Sequence, residues 1–444
     1  MKHLTNLNFL PALIICAAIL FFTGCGSKGA SYDYNTGSGA APAYPGASFA
    51  IISDIHVYDP SLGSSGAAFE KMLHSDRKLL LDSFDLLNFA INQIIDSGVE
   101  FVLIPGDLTK DGELINHTNA AEKLMRLKNA GISVYVIPGN HDVNNPESFR
   151  YIGDKTELVP NVSEAEFARI YGEFGYNDAV TRDTHSLSYV AEPVPGLWLL
   201  AIDSTRHREN TEGDHPIVSG VISQGTADWI AQALREADRQ NKAVIAMMHH
   251  GFMEHWKGQA KLHPDYIVQD YENFGKFLAS WNVRAGFSGH YHAHDITRAD
   301  FNGKYLYDIE TGSLVTAPCP IRYVNISGNT MNIKTEFIAD KIHPGTEFAS
   351  NASAFVKHTV MLEAANVLKR YNVSEKDIAI ITDAVGDAFT AHYSGDEDPA
   401  KRPPLDKSKL SLWGRFILSQ QQYVLDGLWV DLPPADINVS LQLN

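Results

Sequence analysis

Cysteine is scarce in this sequence, with only three among 444 residues. Cys16 and Cys25 lie in or directly after the apolar N-terminal segment, so Cys319 is the one cysteine expected in the folded part of the chain. An intramolecular disulfide is therefore excluded, whatever the redox state of the compartment. Because Cys319 stands between two prolines, we interpret it as an unreactive thiol in a loop.

Positive charge is also in short supply. The chain has 36 lysines and arginines against 53 aspartates and glutamates, which gives a formal net charge of −17. Such a chain has no basic face for a phosphate backbone, so we expect no nucleic-acid partner. The balance does not exclude a phosphate ester as substrate, because bound divalent cations would be the largest local charges and would invert the field around them.

Long apolar runs are missing after the N-terminus. There, residues 9–22 are apolar, Lys2 and His3 precede them, and Gly24-Cys25 follows. This pattern predicts a secretory signal over residues 1–24, and a cysteine directly after Gly24 is typical of a bacterial lipoprotein signal. A plain signal peptide or a membrane anchor is the alternative, although the run is short for a spanning helix.

We therefore expect a protein of the bacterial cell envelope, on the periplasmic or cell-surface side. Lipid on Cys25 would hold it at a membrane. Residues 25–47, rich in Gly, Ser, Ala and Pro, are predicted to form a flexible tether.

Length and composition predict one large α/β domain with an additional unit. The large domain is expected over residues 48–340, and a helical region over residues 345–444. Three helices are predicted in that region, at 351–371, 375–391 and 407–427. We expect them to pack against the large domain, and the alternative is that they line or cap its cleft.

Within residues 48–340, apolar stretches alternate with segments of helical periodicity. This alternation predicts parallel strands with right-handed helical crossovers. After it, antiparallel strands are expected to close a second sheet, at 305–309, 321–326 and 331–338. Residues 59–76 are predicted to be an irregular Gly/Ser segment.

Seven potential metal ligands occur in five short clusters, each after a short apolar stretch. The clusters are Asp54-x-His56, Gly106-Asp107, Gly139-Asn140-His141-Asp142, His249-His250 and Gly289-His290-Tyr291-His292. Because the carboxyl ends of adjacent strands meet at one crevice of an α/β sheet, we expect these distant side chains to come together. Carboxylate, amide and imidazole groups suit a two-metal hydrolytic site. The clusters contain no thiolate, which argues against a structural zinc site.

In this order, the clusters resemble the motifs of the calcineurin-like metallophosphoesterases. The resemblance spans roughly residues 48–338 and leaves the C-terminal hundred residues uncovered. It implies an α/β fold, the four-layer α/β/β/α metallophosphoesterase sandwich, to which the C-terminal helices would be appended. It also implies a hydrolase that attacks phosphate mono- or diesters with a hydroxide held by two metal ions.

The resemblance carries a role onto each matching residue. Asp107 would bridge both ions; the first ion would be completed by Asp54, His56 and His292, and the second by Asn140, His249 and His290. His249 is preferred over His250 because it is the first residue past its strand. His141 would steady the phosphate or protonate the leaving oxygen, and Asp142 would orient His141.

Several questions stay open at the level of sequence. The two divalent or trivalent ions would be iron, manganese or zinc, since a site of nitrogen and oxygen donors accepts all three. The substrate would be a small-molecule or lipid-derived phosphate ester. One alternative is a non-catalytic metal-binding or scaffold lipoprotein that retains the fold, and another is a different dinuclear metallohydrolase, such as one acting on amides. No predicted ligand is missing, which favours an enzyme.

Overall fold

The computed structural model describes residues 29–34, 41–74 and 76–444. The predicted signal sequence, residues 1–24, and the predicted lipidation site Cys25 lie outside the described residues. In the described ranges, none of the helices combines the length and the apolar character that crossing a bilayer requires.

The strands arise largely from short apolar stretches. In β2, for example, all four residues of the sequence FVLI are buried, which is typical of a parallel strand covered on both faces. The strands are β1 (Ala47–Ile51), β2 (Phe101–Ile104), β3 (Ser133–Val136), β4 (Phe149–Ile152), β5 (Lys155–Leu158), β6 (Thr181–Arg182), β7 (Tyr189–Val194), β8 (Leu197–Ile202), β9 (Ala243–Met248), β10 (Ala285–Ser288), β11 (Asp295–Phe301), β12 (Lys304–Glu310), β13 (Pro320–Ser327), β14 (Thr330–Phe337) and β15 (Asn438–Gln442).

The helices begin and end at recognisable residues. Ser223 caps α5 by accepting a hydrogen bond from the Thr226 backbone N–H at 3.1 Å, and Gly98 ends α2 with a φ of 68°. The α-helices are α1 (Ala67–Leu73), α2 (Ser83–Ser97), α3 (Leu114–Asn129), α4 (Glu164–Ile170), α5 (Gln224–Arg239), α6 (Gln259–Leu262), α7 (Tyr271–Ser280), α8 (Phe348–Arg370), α9 (Glu375–Ser394), α10 (Leu412–Gln420) and α11 (Gln422–Gly427).

Two sheets form the centre of the fold. The first has the order β15-β14-β13-β1-β2-β3, and the second has the order β11-β12-β10-β9-β8-β7-β6. Strands β1, β2 and β3 run parallel to one another, as do β8, β9 and β10. The parallel strands with helical crossovers that the sequence predicts are therefore present in both halves.

The sheets and helices stack as four layers. Between the sheets, the Phe49 and Phe101 rings stack with centroids 4.6 Å apart, and Phe287 of β10 meets Phe49 edge-on. Helices α2 and α3 pack with the first sheet in this core. Helices α5 and α7 cover the other face of the second sheet with a separate apolar core. The predicted α/β/β/α arrangement with appended C-terminal helices is confirmed.

The C-terminal helices share one apolar core with part of the large domain. This core joins Val356, Ile381 and Phe389 of α8 and α9 to Trp256 and Tyr291. Because Tyr291 lies inside one of the five motif clusters, the helices pack directly behind a loop that carries predicted ligands. The last strand of the chain, β15, is not part of this helical unit. It pairs with β14 at the edge of the first sheet, which a wholly helical region over 345–444 did not anticipate.

Two expectations about the large domain are wrong. Strands β13 and β14 do not close the second sheet, because β13 pairs antiparallel with β1 in the first sheet. Only β12 joins the second sheet, beside β10 and parallel to it. In addition, the segment expected to be irregular over 59–76 contains α1, whose Phe69 is buried in a small cluster with Tyr58 and Tyr151.

The predicted tether is described in two pieces, and the first of them is docked. Tyr32 stacks on Phe277 of α7 with centroids 5.2 Å apart. The Asp33 backbone carbonyl accepts a hydrogen bond from Trp281 at 3.1 Å. For residues 29–34 a free tether is therefore wrong, because two tyrosines within the Gly/Ser-rich sequence find apolar partners.

Candidate metal centre

The predicted ligands lie where strands of both sheets end. Asp54 and Asp107 follow β1 and β2 in the first sheet, and Asn140 follows β3. His249 directly follows β9 of the second sheet, and His290 comes shortly after β10. The two sheets thus present their loops to one crevice, as expected for strand ends in α/β folds.

Four of these side chains form a first group around His56 Nε2. This atom lies 3.3 Å from His292 Nε2, 4.0 Å from Asp54 Oδ1 and 3.6 Å from Asp107 Oδ2. His292 Nε2 also lies 3.4 Å from Asp54 Oδ1. All four residues offer ligand atoms within 4.8 Å of one another, a spacing that fits a single metal ion.

A second group shares Asp107 with the first. His249 Nε2 lies 3.4 Å from Asp107 Oδ2 and 3.1 Å from Asn140 Oδ1. His290 completes the group, since Asp107, His249 and His290 also offer ligand atoms within 4.8 Å of one another. One carboxylate oxygen, Asp107 Oδ2, therefore lies between the histidines of both groups. This is the position that a bridging ligand requires.

Three histidines are held so that Nε2 faces the centre. In each, Nδ1 contacts an oxygen outside the groups, which fixes the ring orientation and leaves Nε2 for a metal. The contacts are His56 Nδ1 with the Thr109 carbonyl at 3.1 Å, His249 Nδ1 with the Pro105 carbonyl at 2.8 Å, and His292 Nδ1 with Thr316 Oγ1 at 3.1 Å.

Five of the seven predicted ligands have a left-handed backbone conformation. The φ angles are 50° at Asp54, 34° at His56, 49° at Asp107, 75° at His290 and 66° at His292. Such conformations are uncommon for residues with a side chain and cost about 1–3 kcal/mol each. A concentration of strained ligands at one crevice is typical of a functional site.

The motif glycines make room for the carboxylates. A Cβ at Gly139 would overlap the Asp107 carboxylate, and a Cβ at Gly289 would overlap the Asp54 carboxylate. Any other residue at these positions would displace a predicted ligand.

The charges in the centre depend on each other. Burial disfavours an ionised carboxylate, but the nearby His249 and His141 hold the pKa of Asp107 well below its usual range. At His249, burial disfavours the charged imidazolium, but the Asp107 carboxylate favours it and raises the pKa of His249 to about 9. Burial together with neighbouring cations lowers the pKa of His56 and His290 well below the ordinary value, so these imidazoles are neutral. Neutral imidazole is the form that binds a metal.

The neighbouring His250 has both ring nitrogens engaged elsewhere. Nδ1 pairs with Ser204 Oγ at 2.8 Å, and Nε2 lies 2.8 Å from the Val218 carbonyl. Burial, followed by the His249 charge, lowers the pKa of His250 to about 3. His249 therefore lies among the ligand-spaced groups and His250 does not, and the role of His249 as a ligand stays a prediction.

His141 lies at the rim of the centre. Its side chain is 23% exposed, and its Nε2 is 4.0 Å from Asp107 Oδ2. Lys78 Nζ lies 3.5 Å from the same nitrogen, and Nδ1 bonds Asp111 Oδ1 at 2.7 Å. Burial and Lys78 disfavour the imidazolium, but Asp107 and Asp111 outweigh them and raise the pKa of His141.

The predicted contact between Asp142 and His141 is wrong. The Asp142 carboxylate instead accepts hydrogen bonds from three backbone N–H groups and one hydroxyl, at 2.8–3.0 Å. The donors belong to Leu108, Thr109 and Gly139. Asp142 thus ties together the two loops that carry Asp107 and Asn140, and Asp111 is the residue that orients His141.

Two residues at the rim of the centre, Asp111 and Lys78, were not among those predicted from the sequence. Asp111 lies four residues after Asp107 of the Gly106-Asp107 cluster, so its place in the sequence was a signal. Lys78 lies in no motif, and only its place in the fold identifies it. It is 6% exposed, and its ammonium lies 3.4 Å from Asp76.

A model of the calcineurin-like phosphoesterase family matches residues 47–294 of the chain. Comparison with curated protein sequences gave no significant match.

Solved structures similar to this chain include two phosphatases and a thiohydrolase. It covers 96% of a dimetal phosphatase from Danio rerio and 53% of a purple acid phosphatase from yellow lupin (Lupinus luteus). The matches take in 66% and 68% of this chain, at 17% and 13% identity and TM-scores of 0.46 and 0.41. A sulfate thiohydrolase from Termus thermophilus is similar over 72% of this chain and 61% of its own, at 13% identity and a TM-score of 0.36.

The family match takes in both halves of the crevice, from β1 to the loop that carries His290 and His292. It covers more than half of the 444 residues, and all seven predicted ligands lie within it. The chain belongs to the calcineurin-like phosphoesterases, hydrolases that act on phosphate esters.

Proposed function

We propose that this protein is a dinuclear metallophosphoesterase that hydrolyses phosphate mono- or diesters. The observation that carries the proposal is the shared position of Asp107, whose Oδ2 lies 3.6 Å from His56 Nε2 and 3.4 Å from His249 Nε2. The donor set fits such a site, because it combines carboxylate, amide and imidazole groups without thiolates. Two such ions would supply Lewis acidity that activates water and offsets charge on the phosphoryl oxygens.

The positions of the predicted ligands support the metal-binding roles that the family resemblance implies. Asp107 would bridge; the first ion would be held by Asp54, His56 and His292, and the second by Asn140, His249 and His290. Iron, manganese and zinc are all compatible with these donors.

The rim of the site supplies the groups that would meet the substrate. His141 carries a raised pKa and stands on the exposed side of the centre. As an imidazolium it would donate to a phosphoryl oxygen or to the leaving oxygen. Lys78 lies beside it and would place a second positive charge next to the bound ester. Asp111 would hold the His141 ring in place from the far nitrogen.

We further propose that the enzyme acts at a membrane surface in the bacterial cell envelope. The support is the lipoprotein-like sequence that ends at Cys25. Its substrate would then be a small-molecule or lipid-derived phosphate ester that reaches the periplasmic or cell-surface side.

Hydrolysis of bis(p-nitrophenyl) phosphate by the purified chain tests the proposal. After reconstitution with iron, manganese or zinc in turn, the wild-type chain is expected to hydrolyse this diester with at least one metal. Asp107→Asn is expected to abolish hydrolysis and to lower the metal content, because the bridging carboxylate is lost. Asp154→Asn, an exposed change in the turn between β4 and β5, is the matched control and should leave both unchanged.

A second variant separates chemistry from metal binding. His141→Ala is expected to keep the metal content of the wild type and to lower the rate by about 10²- to 10⁴-fold, as is usual for a general acid or a charge-stabilising group. A chain that binds metal but hydrolyses no phosphomono- or diester in a panel would instead be a non-catalytic relative. Full activity of Asp107→Asn would refute the bridging role.

A further inference from the structure

A further buried group of potential ligands lies outside the metal centre. Asp295 begins β11, His392 lies in the last turn of α9, and Glu397 follows α9. Their exposed fractions are 1%, 1% and 7%. The group therefore joins the C-terminal helices to the strand that follows the last motif cluster, and it shares no residue with the proposed reaction.

The three side chains already stand close to ligand spacing. His392 Nδ1 lies 3.8 Å from Asp295 Oδ2 and is hydrogen-bonded to Glu397 Oε1. One ligand atom of each residue lies within 4.8 Å of the others. Bonds of about 2.1 Å to a tetrahedral zinc ion separate neighbouring ligands by about 3.4 Å. At such an ion, His392 Nδ1 and Glu397 Oε1 would lose the proton between them and move apart to this spacing. Asp295 Oδ2 would move slightly closer to His392 Nδ1.

Buried atoms in this group lack hydrogen-bond partners. Asp295 Oδ2, Glu397 Oε2 and His392 Nε2 have none within the described part of the chain. An unsatisfied buried polar group costs about 1–3 kcal/mol, and a charged one costs more. Asp295 Oδ2 is both unpartnered and 3.8 Å from His392 Nδ1, whereas Glu397 and His392 bond each other through their other atoms, Oε1 and Nδ1. A buried carboxylate oxygen without a donor, beside two further potential ligands, points to a cation.

Negative charge accumulates around the group. Asp396, Asp431 and Asp436 form an adjoining acidic cluster whose oxygens lie within 4.8 Å of one another. Asp396 directly precedes Glu397 in the sequence, and the Ile296 N–H next to Asp295 donates to Asp436 Oδ1 at 2.7 Å. The two clusters therefore lie side by side and together hold five carboxyl groups.

Two nearby cations, Arg322 and His255, offset part of this charge but leave Asp295 Oδ2 without a hydrogen bond. Arg322 donates through both terminal nitrogens to backbone carbonyls, those of Asp295, Glu310 and Asp436, and to no carboxylate among its described contacts. His255 bonds Asp295 Oδ1 at 2.7 Å and so leaves Oδ2 without a partner.

We propose that Asp295, His392 and Glu397 bind a third divalent metal ion, of the transition-metal class represented by zinc. The imidazole donor favours zinc over calcium, which prefers six to eight oxygen ligands. A fourth position would be left to water or to a carboxylate of the adjoining cluster, in which Asp431 is half-buried with an unpartnered Oδ1 among the residues described.

Such an ion would fasten the C-terminal helices to the loop that bears His290 and His292. One hydrogen bond already links β11 to the C-terminal region there, because the Ile296 backbone N–H donates to Asp436 Oδ1 at 2.7 Å. The role is therefore structural, and it does not depend on the proposed hydrolysis.

Zinc content of the full-length chain, measured by elemental analysis after reconstitution, tests the proposal. His392→Gln is expected to carry one zinc ion fewer per chain than the wild type. Glu397→Gln provides a second, milder change for the case in which His392→Gln does not fold. Glu375→Gln, whose side chain is 82% exposed in the same helix, is the matched control and should keep the wild-type content.

The same comparison in an Asp107→Asn background separates this site from the dinuclear one. The difference of one zinc ion between chains with and without His392 should persist there, whether or not the chain hydrolyses any ester. A chelator should lower the Tm of Asp107→Asn by more than that of the Asp107→Asn/His392→Gln double variant, because only the former holds the third ion. Equal zinc content in wild type, His392→Gln and Glu397→Gln would overturn the proposal and leave the group as an ion-pair network.

Discussion

Replacing Asp142 with asparagine should lower the free energy of unfolding more strongly than it lowers kcat. One of its carboxylate oxygens accepts from Thr109 N and Oγ1, and the other accepts from Leu108 N and Gly139 N. An asparagine retains one oxygen and turns an NH₂ group towards two buried donors, which are two backbone N–H groups in one amide orientation and the N–H and hydroxyl of Thr109 in the other. At about 1–3 kcal/mol for each unsatisfied donor, the cost is about 2–6 kcal/mol.

Asp111→Asn should behave in the opposite way. It weakens the charged contact to His141 Nδ1 and the ion pair with the buried Lys110, but it touches no predicted metal ligand. The metal content should therefore be kept while kcat falls by about 10- to 100-fold, the usual range for a partner that orients a histidine. Urea unfolding and hydrolysis of bis(p-nitrophenyl) phosphate measure the two effects. If Asp142→Asn is as stable as the wild type but as slow as His141→Ala, and Asp111→Asn is fully active, the assignment of the two carboxylates is refuted.

Two further outcomes follow from the same geometry. Lys78→Met should lower kcat/KM by about 10- to 100-fold, the equivalent of one hydrogen bond to a charged group. The loss should be larger for a phosphomonoester than for a diester, because the monoester carries more charge. Equal losses for the two substrates would refute direct contact between Lys78 and the phosphate. His117 is buried between Tyr171 and the Asp142 carbonyl, and burial lowers its pKa to about 4. Between pH 6.5 and 4, His117 is therefore protonated in the unfolded chain but neutral in the folded one, so its contribution to the free energy of unfolding should fall by about 3 kcal/mol as the pH drops through that window. His117→Gln should flatten this part of the plot of unfolding free energy against pH. An unchanged plot would contradict this origin of the pH dependence.

The site could be predicted because each cluster of ligands follows its strand closely in the sequence. A parallel strand must be followed by a crossover, so a ligand placed just after such a strand has only one edge to occupy. Asp54, Asp107 and His249 each follow a parallel strand, and the structure brings them together.

Pairing across long distances could not be predicted in the same way. The alternating pattern of β13 fits the edge of either sheet, and only its backbone pairing with β1 decides between them. The last strand, β15, pairs with β14 about a hundred residues earlier, and nothing in its short sequence names that partner.

Side-chain partners inside the site were equally hidden. Asp142 is next to His141 in sequence, but the tight turn at Gly139 directs its carboxylate towards three backbone donors instead. Asp111 reaches His141 only because the loops after β2 and β3 lie side by side. Lys78 belongs to a loop braced by the C-terminal helices, where the neighbouring Arg77 contacts Glu363 at 3.5 Å.

Anomalous diffraction from crystals of the wild-type chain grown with manganese tests the central claim most directly. Two manganese peaks are expected on either side of the Asp107 carboxylate, one against His56 and His292 and the other against His249 and His290. A crystal with saturating manganese in which Asp107 touches one peak, or none, would contradict the account.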